Sequence, residues 1–574
     1  MNLLSTLLVV GYGLGTVLGI SLENVCTVSH AERTLSDVNI VGLTFDNSSI
    51  TAQAVYNFST ENQVFWPDAQ GLNYCNITLA YSHNGIRGDR VLLEFWLPAP
   101  GSFKNRWLST GGGGYSINHH EEHLPGGLIY GAVTGQTDGG FGGFNRTVDE
   151  VILLANGTID HETLYMHGYK AHYEMSTIGK AFTRNFYRMS PRAKLFSYFQ
   201  GCSEGGREAF SQVQRYPDEW DGAVIGAPAI RLAQQQVNLI FGAAVKRKLG
   251  HFPSPCEMNK ITDLIIEACD SLDGRLDGVV SRTDLCMIHF DFDWTIGKQF
   301  ECSTDLEKGT PLQSGKVSPE TAMVARTIFK GLHSLDGKRA YIWPQLSAGF
   351  DSATAQYDAK NQYWKPTINS LGTQWVSKFL ELKEDGTSST ADNATYDELI
   401  DWMRTGWQRY ESVLQTTWPD LTPFESAGGK IIHFHGESDP AIPAGSSVHY
   451  HEAVRQVMYP HLSFEDSMEA INDWNRLYLV PGAGHCAPSN TQPNGSFPRT
   501  TLKTLIRWVE NGIKPENLDA VILQGDNFGE HQQLCPWPSR PMWHNNGTRM
   551  ECAFDQTSFE TWTYNFDAYN LPLY

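Results

Sequence analysis

The chain has 574 residues and a mass of 64.1 kDa, room for two to four domains at roughly 100–200 residues each, or for one core with a large insertion. Hydrophobic residues make up 41% and aromatic residues 12%, which excludes wholesale disorder because that much apolar surface does not stay solvated. The 43 Lys and Arg against 63 Asp and Glu leave a formal charge of −20. That excludes nucleic acid as a main partner, since nothing would neutralise its phosphates, and argues against a large anionic polymer as substrate.

Residues 1–19 read as a signal peptide. The run Leu3-Leu4-Ser5-Thr6-Leu7-Leu8-Val9-Val10 is apolar, small residues follow, and Val17-Leu18-Gly19 is a plausible cleavage site, although the usual positive leading residues are missing. No other stretch approaches the ~20 apolar residues that span a bilayer, so no membrane partner is expected. Two further features point to secretion. The 10 cysteines, an even number, suit disulfides in an exported chain. Asn-x-Ser/Thr sequons begin at Asn47, Asn57, Asn76, Asn145, Asn156, Asn393, Asn494 and Asn546, which favours a glycosylated surface.

Taken along the chain, apolar runs rich in β-branched and aromatic residues recur before glycine turns. They cover Val91–Leu97, Leu195–Gln200, Gly222–Ile225, Lys430–Phe434 and Arg476–Val480, and read as strands. Their near-continuous hydrophobicity suits a sheet covered on both faces, hence an α/β class. Helical patterns fall at Thr163–Asn185 and Thr500–Glu510. The middle, residues 230–427, differs, with four cysteines, Asp-Gly turns and many aromatics, including Trp343, Trp364, Trp375, Trp402 and Trp407. It reads as an inserted lid domain within a catalytic domain formed by 20–229 and 428–574.

Gly201-Cys202-Ser203-Glu204-Gly205 matches G-x-S-x-G, with an apolar strand before it and a helix-compatible run after it. A sharp strand-to-helix turn of this kind exposes a nucleophilic serine at the C-terminal edge of a sheet. Such a serine needs a base, and the base needs an orienting acid. In the α/β-hydrolase order the acid comes next and the histidine last. Asp439 follows the strand ending at Phe434, in a loop bounded by Pro440 and Pro443. His485 follows the strand ending at Val480, on the Gly-rich loop Pro481–Cys486. Glu437 is the rival acid and His435 a bystander. Cys202 adjoins Ser203 and Cys486 adjoins His485, so a working triad would bring the two sulfurs close enough to bond, at the usual Cα separation of about 5.5 Å. The backbone N–H of Glu204 and that of Gly113, in the loop Thr110-Gly111-Gly112-Gly113-Gly114, are candidate oxyanion donors.

Together these residues resemble the fungal tannase and feruloyl esterase family, with its Cys-Ser, Asp and His-Cys arrangement. The resemblance spans nearly the whole mature chain and includes the four-glycine loop and the stretch Gly201–Pro228. It implies an α/β-hydrolase core, hydrolysis of aromatic acid esters through Ser203, His485 and Asp439, and an insertion acting as a lid. Glu204 and the run Gln234-Gln235-Gln236-Val237-Asn238 are similar to the tannases, which implies galloyl esters as substrate; the alternative is a feruloyl esterase releasing hydroxycinnamic acids from plant cell-wall polysaccharide. Processing is a departure: some members are cut at a Lys-Arg pair, and although this chain carries Lys246-Arg247-Lys248, that run is not matched to the family's position, so the resemblance does not carry the cleavage over. On the residues alone, a secreted serine peptidase and a non-catalytic binding protein stay open beside the esterase.

Cys269 to Val279 contains three aspartates in eight residues and two Asp-Gly turns. Such a cluster repels itself unless solvated or bound to a hard cation; it is not an EF-hand, because no Glu closes it. It resembles the family's calcium loop, which implies side-chain ligands at Asp270, Asp273 and Asp277, carbonyl ligands at Arg275 and Val279, and a structural ion remote from catalysis. No zinc-type spacing and no organic-cofactor motif is present. The resemblance also pairs Cys269 with Cys286, Cys26 with Cys75 and Cys535 with Cys552, which leaves Cys256 with Cys302.

Overall fold

The computed structural model describes residues 21–305, 309–342, 355–384 and 391–569. The expected signal peptide and Trp343 lie outside them. A nine-stranded sheet forms the centre. In chain order its strands are β1 (Leu43–Thr60), β2 (Ala69–His83), β3 (Val91–Pro98), β4 (Arg106–Thr110), β5 (Ala132–Thr137), β6 (Phe196–Cys202), β7 (Gly222–Gly226), β8 (Lys430–Gly436) and β9 (Asn475–Val480). Their order across the sheet is β1-β2-β3-β5-β4-β6-β7-β8-β9. From β5 to β9 every neighbour is parallel, while β1, β2 and β3 join antiparallel at one edge.

Alternation along the central strands explains their apolar runs. Trp107, Phe199 and Ile225 pack into the cluster that holds Met175, Ile178 and Phe182 of helix α1 (Ala171–Phe186) and Ala209 and Phe210 of α2 (Glu204–Arg215). Leu108, Tyr198, Val224 and Ile432 face the other way, onto Leu502, Leu505 and Ile506 of the helix Thr501–Asn511. Both faces are therefore dry, and a side chain on either side is apolar or has a buried partner, as for His433 and Ser447. The helical pattern at Thr163–Asn185 divides into a short helix His161–Tyr165, one wide turn at Met166–Lys170, and α1.

Residues 230–427 lie between β7 and β8. Their long helix α3 (Leu232–Leu249) packs against the helix Tyr396–Tyr410. Trp375 stacks on Phe379 and, like Trp407, is buried inside this segment. Its core is continuous with the sheet's helix-covered face, since Val237, Ile240 and Met403 share one cluster with Phe199 and Phe210. Lys246 lies within α3 with its side chain wholly buried. All ten cysteines are bonded, as Cys26–Cys75, Cys202–Cys486, Cys256–Cys302, Cys269–Cys286 and Cys535–Cys552. No described helix is long and apolar enough to cross a membrane.

Candidate active site

Ser203 sits between β6 and α2 with φ 64° and ψ −122°, a backbone conformation that side chains other than glycine rarely adopt. The turn is held from outside: Ser203 N–H donates to Gly226 O at 3.0 Å, and Ala229 N–H to Ser203 O at 3.1 Å. The glycines beside it are needed for close approach. A Cβ on Gly111 would lie 2.4 Å from Gly205 Cα, so the four-glycine loop rests directly on the first turn of α2.

The structure brings the three expected residues together across 282 residues of sequence. His485 Nε2 is 2.8 Å from Ser203 Oγ, and His485 Nδ1 is 2.7 Å from Asp439 Oδ2. Cys202 and Cys486 are bonded with Cα atoms 6.0 Å apart. Burial would raise the Asp439 carboxyl, but His485 and His435 hold it well below the usual carboxylate range. Burial would likewise depress His485, and the Asp439 charge overrides it and raises the imidazole. This arrangement can take a proton from Ser203 and stabilise the imidazolium that forms.

Glu437 is occupied elsewhere: its carboxylate accepts from Arg540 Nη2 at 2.6 Å and from the Thr283 hydroxyl. His435, expected to be a bystander, lies 3.2 Å from Asp439. Nothing in its sequence context separated it from a surface histidine.

The side chain of Glu204 turns away from the site. It is buried against Arg207 and His167, which hold it below the usual carboxylate range despite its burial. Its amide follows Ser203 directly, at the first turn of a helix where N–H groups lack intrahelical partners. In the glycine loop, Gly111 N–H goes to Gln200 O and Gly112 N–H to the buried carboxylate of Glu208, at 3.3 and 2.7 Å. Gly112 O in turn accepts Gly205 N–H at 2.8 Å. Gly113, which forms an isolated bridge with Ser116, and Gly114 line the cavity beside Ser203. The grip of Glu208 on this loop had no signature in the sequence.

That cavity measures about 330 Å³, within the range of small-molecule sites. Phe65, His119 and His123 reach it from the sheet domain. Leu232, Gln235, Gln236 and Leu371 reach it from the 230–427 segment. Among the described tryptophans of that segment none lines it. Burial depresses both His119 and His123, His123 strongly. The Oε1 atoms of Gln235 and Gln236 are buried without a hydrogen-bond partner.

The acidic loop is tightly folded. Asp270 accepts the N–H groups of Asp277 and Gly278, Asp273 that of Arg275, and Asp277 that of Val279. Burial, with the charges of Asp270 and Asp273, pushes the Asp277 carboxyl up to about 6 although Arg275 lies 3.0 Å away. A set of hard oxygens with more negative charge than its surroundings offset fits a calcium ion. The loop is remote from the triad in sequence but adjacent to its supports in space. Val280 N–H donates to Gln492 Oε1 at 2.7 Å, and Gln492 Nε2 donates to Ser438 Oγ at 2.6 Å.

Six sequon asparagines, Asn47, Asn57, Asn145, Asn156, Asn393 and Asn546, are exposed. Asn76 and Asn494 are only partly exposed, and their amides donate to Glu94 and to Asp277 O, both at 2.8 Å.

A strained serine at a strand-to-helix turn, on a largely parallel sheet, facing a His–Asp pair from two later strand ends, defines a hydrolase of the α/β-hydrolase class. The chain matches the family model described as "Tannase and feruloyl esterase" over residues 75–558, and it belongs to that family of carboxylic ester hydrolases. It is 43% identical over 579 residues to a tannase from Aspergillus oryzae, covering 96% of this chain and 97% of that one. A probable feruloyl esterase from Arthroderma benhamiae is 29% identical, covering 84% and 86%. Among solved structures, tannin acyl hydrolase from Aspergillus niger has a TM-score of 0.94 at 52% identity, covering 96% of this chain and 99% of that one. Feruloyl esterase B from Aspergillus oryzae has a TM-score of 0.70 at 22% identity, covering 92% and 99%; it shares the fold.

Proposed function

We propose that this chain is a secreted esterase that hydrolyses galloyl ester bonds of tannins and simple gallates. Ser203 attacks the ester carbonyl while His485 takes its proton and Asp439 holds the imidazole. The amide of Glu204 and an amide of the Gly113–Gly114 segment receive the oxyanion. His485 then protonates the leaving alcohol, and water releases gallate from the acyl-enzyme by the same steps in reverse.

The observation that carries the galloyl reading is the likeness to a tannase at 43% identity over nearly the full chain, against 29% to a probable feruloyl esterase. Gln235 and Gln236 add polar side chains to an otherwise largely apolar stretch of the cavity wall. A galloyl ring brings three hydroxyls to such a wall, where a feruloyl ring brings one and a methoxy group. Parallel assays on methyl gallate and methyl ferulate test it. We expect kcat/KM to favour methyl gallate by about 10²-fold or more, as for sites built to hydrogen-bond a hydroxyl, and Gln235→Leu to narrow that ratio. Faster turnover of methyl ferulate would overturn it.

The same reading places a structural calcium ion at Asp270, Asp273 and Asp277 with the carbonyls of Arg275 and Val279. Export through the 1–19 leader and glycans on the exposed sequons belong with it, supported by five disulfides and no free cysteine among the described residues. Mass spectrometry of the secreted chain tests leader removal and glycan occupancy together.

A further inference from the structure

The catalytic carboxylate lies between two histidines, and only one of them belongs to the triad. Asp439 Oδ2 is 2.7 Å from His485 Nδ1 and 3.2 Å from His435 Nε2. Its other oxygen, Oδ1, accepts the N–H groups of Ala441 and Ile442, both at 2.8 Å. Oδ1 is thus held by the turn, while Oδ2 faces both imidazoles, His485 at the shorter distance and His435 at the longer.

The proton on His435 can be placed from its neighbours. Its Nε2 faces Ile442 O at 2.8 Å as well as Asp439. A carbonyl and a carboxylate only accept, so Nε2 carries a hydrogen. Behind the ring, Nδ1 is 2.6 Å from Ser447 Oγ, which is itself 2.7 Å from His433 Nε2. All of these side chains are buried. A buried ring tied at both nitrogens has one orientation, and buried polar chains of this kind are costly to leave half-made.

We propose that His435 is a positioning residue for the ester hydrolysis: its Nε2–H donates to Ile442 O, the residue whose own N–H holds Asp439 Oδ1, and lies 3.2 Å from Asp439 Oδ2, so that, with Ser447 fixing its ring, it sets the orientation and basicity of the carboxylate that holds His485. This rests on the triad reading above. The titratable groups facing the cluster are His485 on the substrate side, His433 behind, and Tyr341, whose charge would act on Asp439.

The sign of the expected effect follows. Without the His435 N–H beside it, the Asp439 charge is less shared and holds the His485 imidazolium more tightly. His485 then titrates higher, and since it must be neutral to act as base, the acidic limb of kcat/KM moves to higher pH.

The experiment compares wild type, His435→Ala, His435→Gln and Ser447→Ala on methyl gallate, with circular dichroism as the check on folding. We expect His435→Ala to lower kcat by about 10- to 100-fold, with KM little changed and the acidic limb raised by on the order of one pH unit. The Gln amide nitrogen can reach where Nε2 was, so His435→Gln should recover most of kcat and return the limb. If His435→Ala does not fold, Ser447→Ala carries the test, with a smaller shift in the same direction. A folded His435→Ala with an unmoved limb, or a loss that Gln does not rescue, overturns the proposal. Ser203→Ala, run beside these, tests the triad itself: activity surviving there would overturn the triad reading, whatever the His435 series shows.

Discussion

Glu437 and Arg540, 103 residues apart, form a buried ion pair in which Arg540 Nη2 lies 2.8 and 2.6 Å from the two carboxylate oxygens. Arg540 comes from the hairpin closed by Cys535–Cys552, and the same Glu437 takes the hydroxyl of Thr283 in the 230–427 segment. The pair binds three parts of the chain beneath the acid loop, and it separates the two candidate acids by job.

Variants should divide along that line. Asp439→Asn should stay folded and lose about 10⁴-fold in kcat, because the amide favours the wrong imidazole tautomer. Arg540→Met should leave a buried, unpaired carboxylate and cost about 3–5 kcal/mol of stability, with kcat per folded molecule changed far less. Urea unfolding and active-site titration on the same samples check both. A Glu437→Gln variant more damaging to kcat than Asp439→Asn would reverse the assignment of the acid.

The Cys202–Cys486 bond should matter for rate as well as stability. Cys486 holds φ 57°, outside the conformations most side chains prefer, and it follows His485 directly. Without the bond this residue is free to relax and take the imidazole with it. Cys202→Ala with Cys486→Ala should therefore lower kcat at temperatures where the protein stays folded, by up to the ~10²-fold that a displacement of about 1 Å costs. Activity that falls only in step with the unfolded fraction would assign the bond a purely stabilising role.

Calcium should act through stability with a defined pH dependence. In the metal-free protein the Asp277 carboxyl is raised to about 6 from 3.8. Between those values the folded state holds more protons than the unfolded one, so metal-free stability falls as pH rises, and the penalty is complete above about pH 6. A bound cation removes that penalty. The difference in melting temperature with and without chelator should thus grow from pH 4 to pH 6 and then level off. Because Val280, Gln492 and Ser438 link the loop to the acid turn, Asp273→Ala should also lower kcat at low temperature, well short of the ~10²-fold of a displaced catalytic group. A chelator effect that is flat across this pH range would remove Asp277 from the site.

Lys246 is buried with no hydrogen-bond partner for Nζ, and burial depresses it to about 7. The unfolded chain then binds more protons than the folded one between about pH 7 and 10.5, so this group makes stability rise with pH over that span. Lys246→Met fills the same volume without a charge to desolvate. It should raise the melting temperature most below about pH 7 and progressively less toward pH 10. The burial also shields the Lys246–Arg247 bond, so a trypsin-like protease should cut there only after α3 unravels; rapid cleavage of the native protein would contradict that placement.

What the sequence determined by itself is what local chemistry demands. A nucleophile on a sharp turn requires small neighbours, hence Gly201 and Gly205 around Ser203. A dry parallel sheet requires unbroken apolar runs, hence the readable strands from Val91 to Val480. The adjacency of Cys202 to Ser203 and of Cys486 to His485 projects a tertiary contact onto two short motifs. The edge strand β1 and its neighbour β2 are not legible because they are polar at many positions, and β4 and β5 because they are short and rich in Ser, Thr, Gly and Gln. The roles of Glu437 and His435, the grip of Glu208 on Gly112, and the link from the acidic loop to Ser438 were decided only by the tertiary structure. Each joins side chains from distant segments, and a carboxylate or imidazole carries no local mark of the partner that will satisfy it. For buried polar groups the partner is the function, and only the packed chain brings it within hydrogen-bond reach.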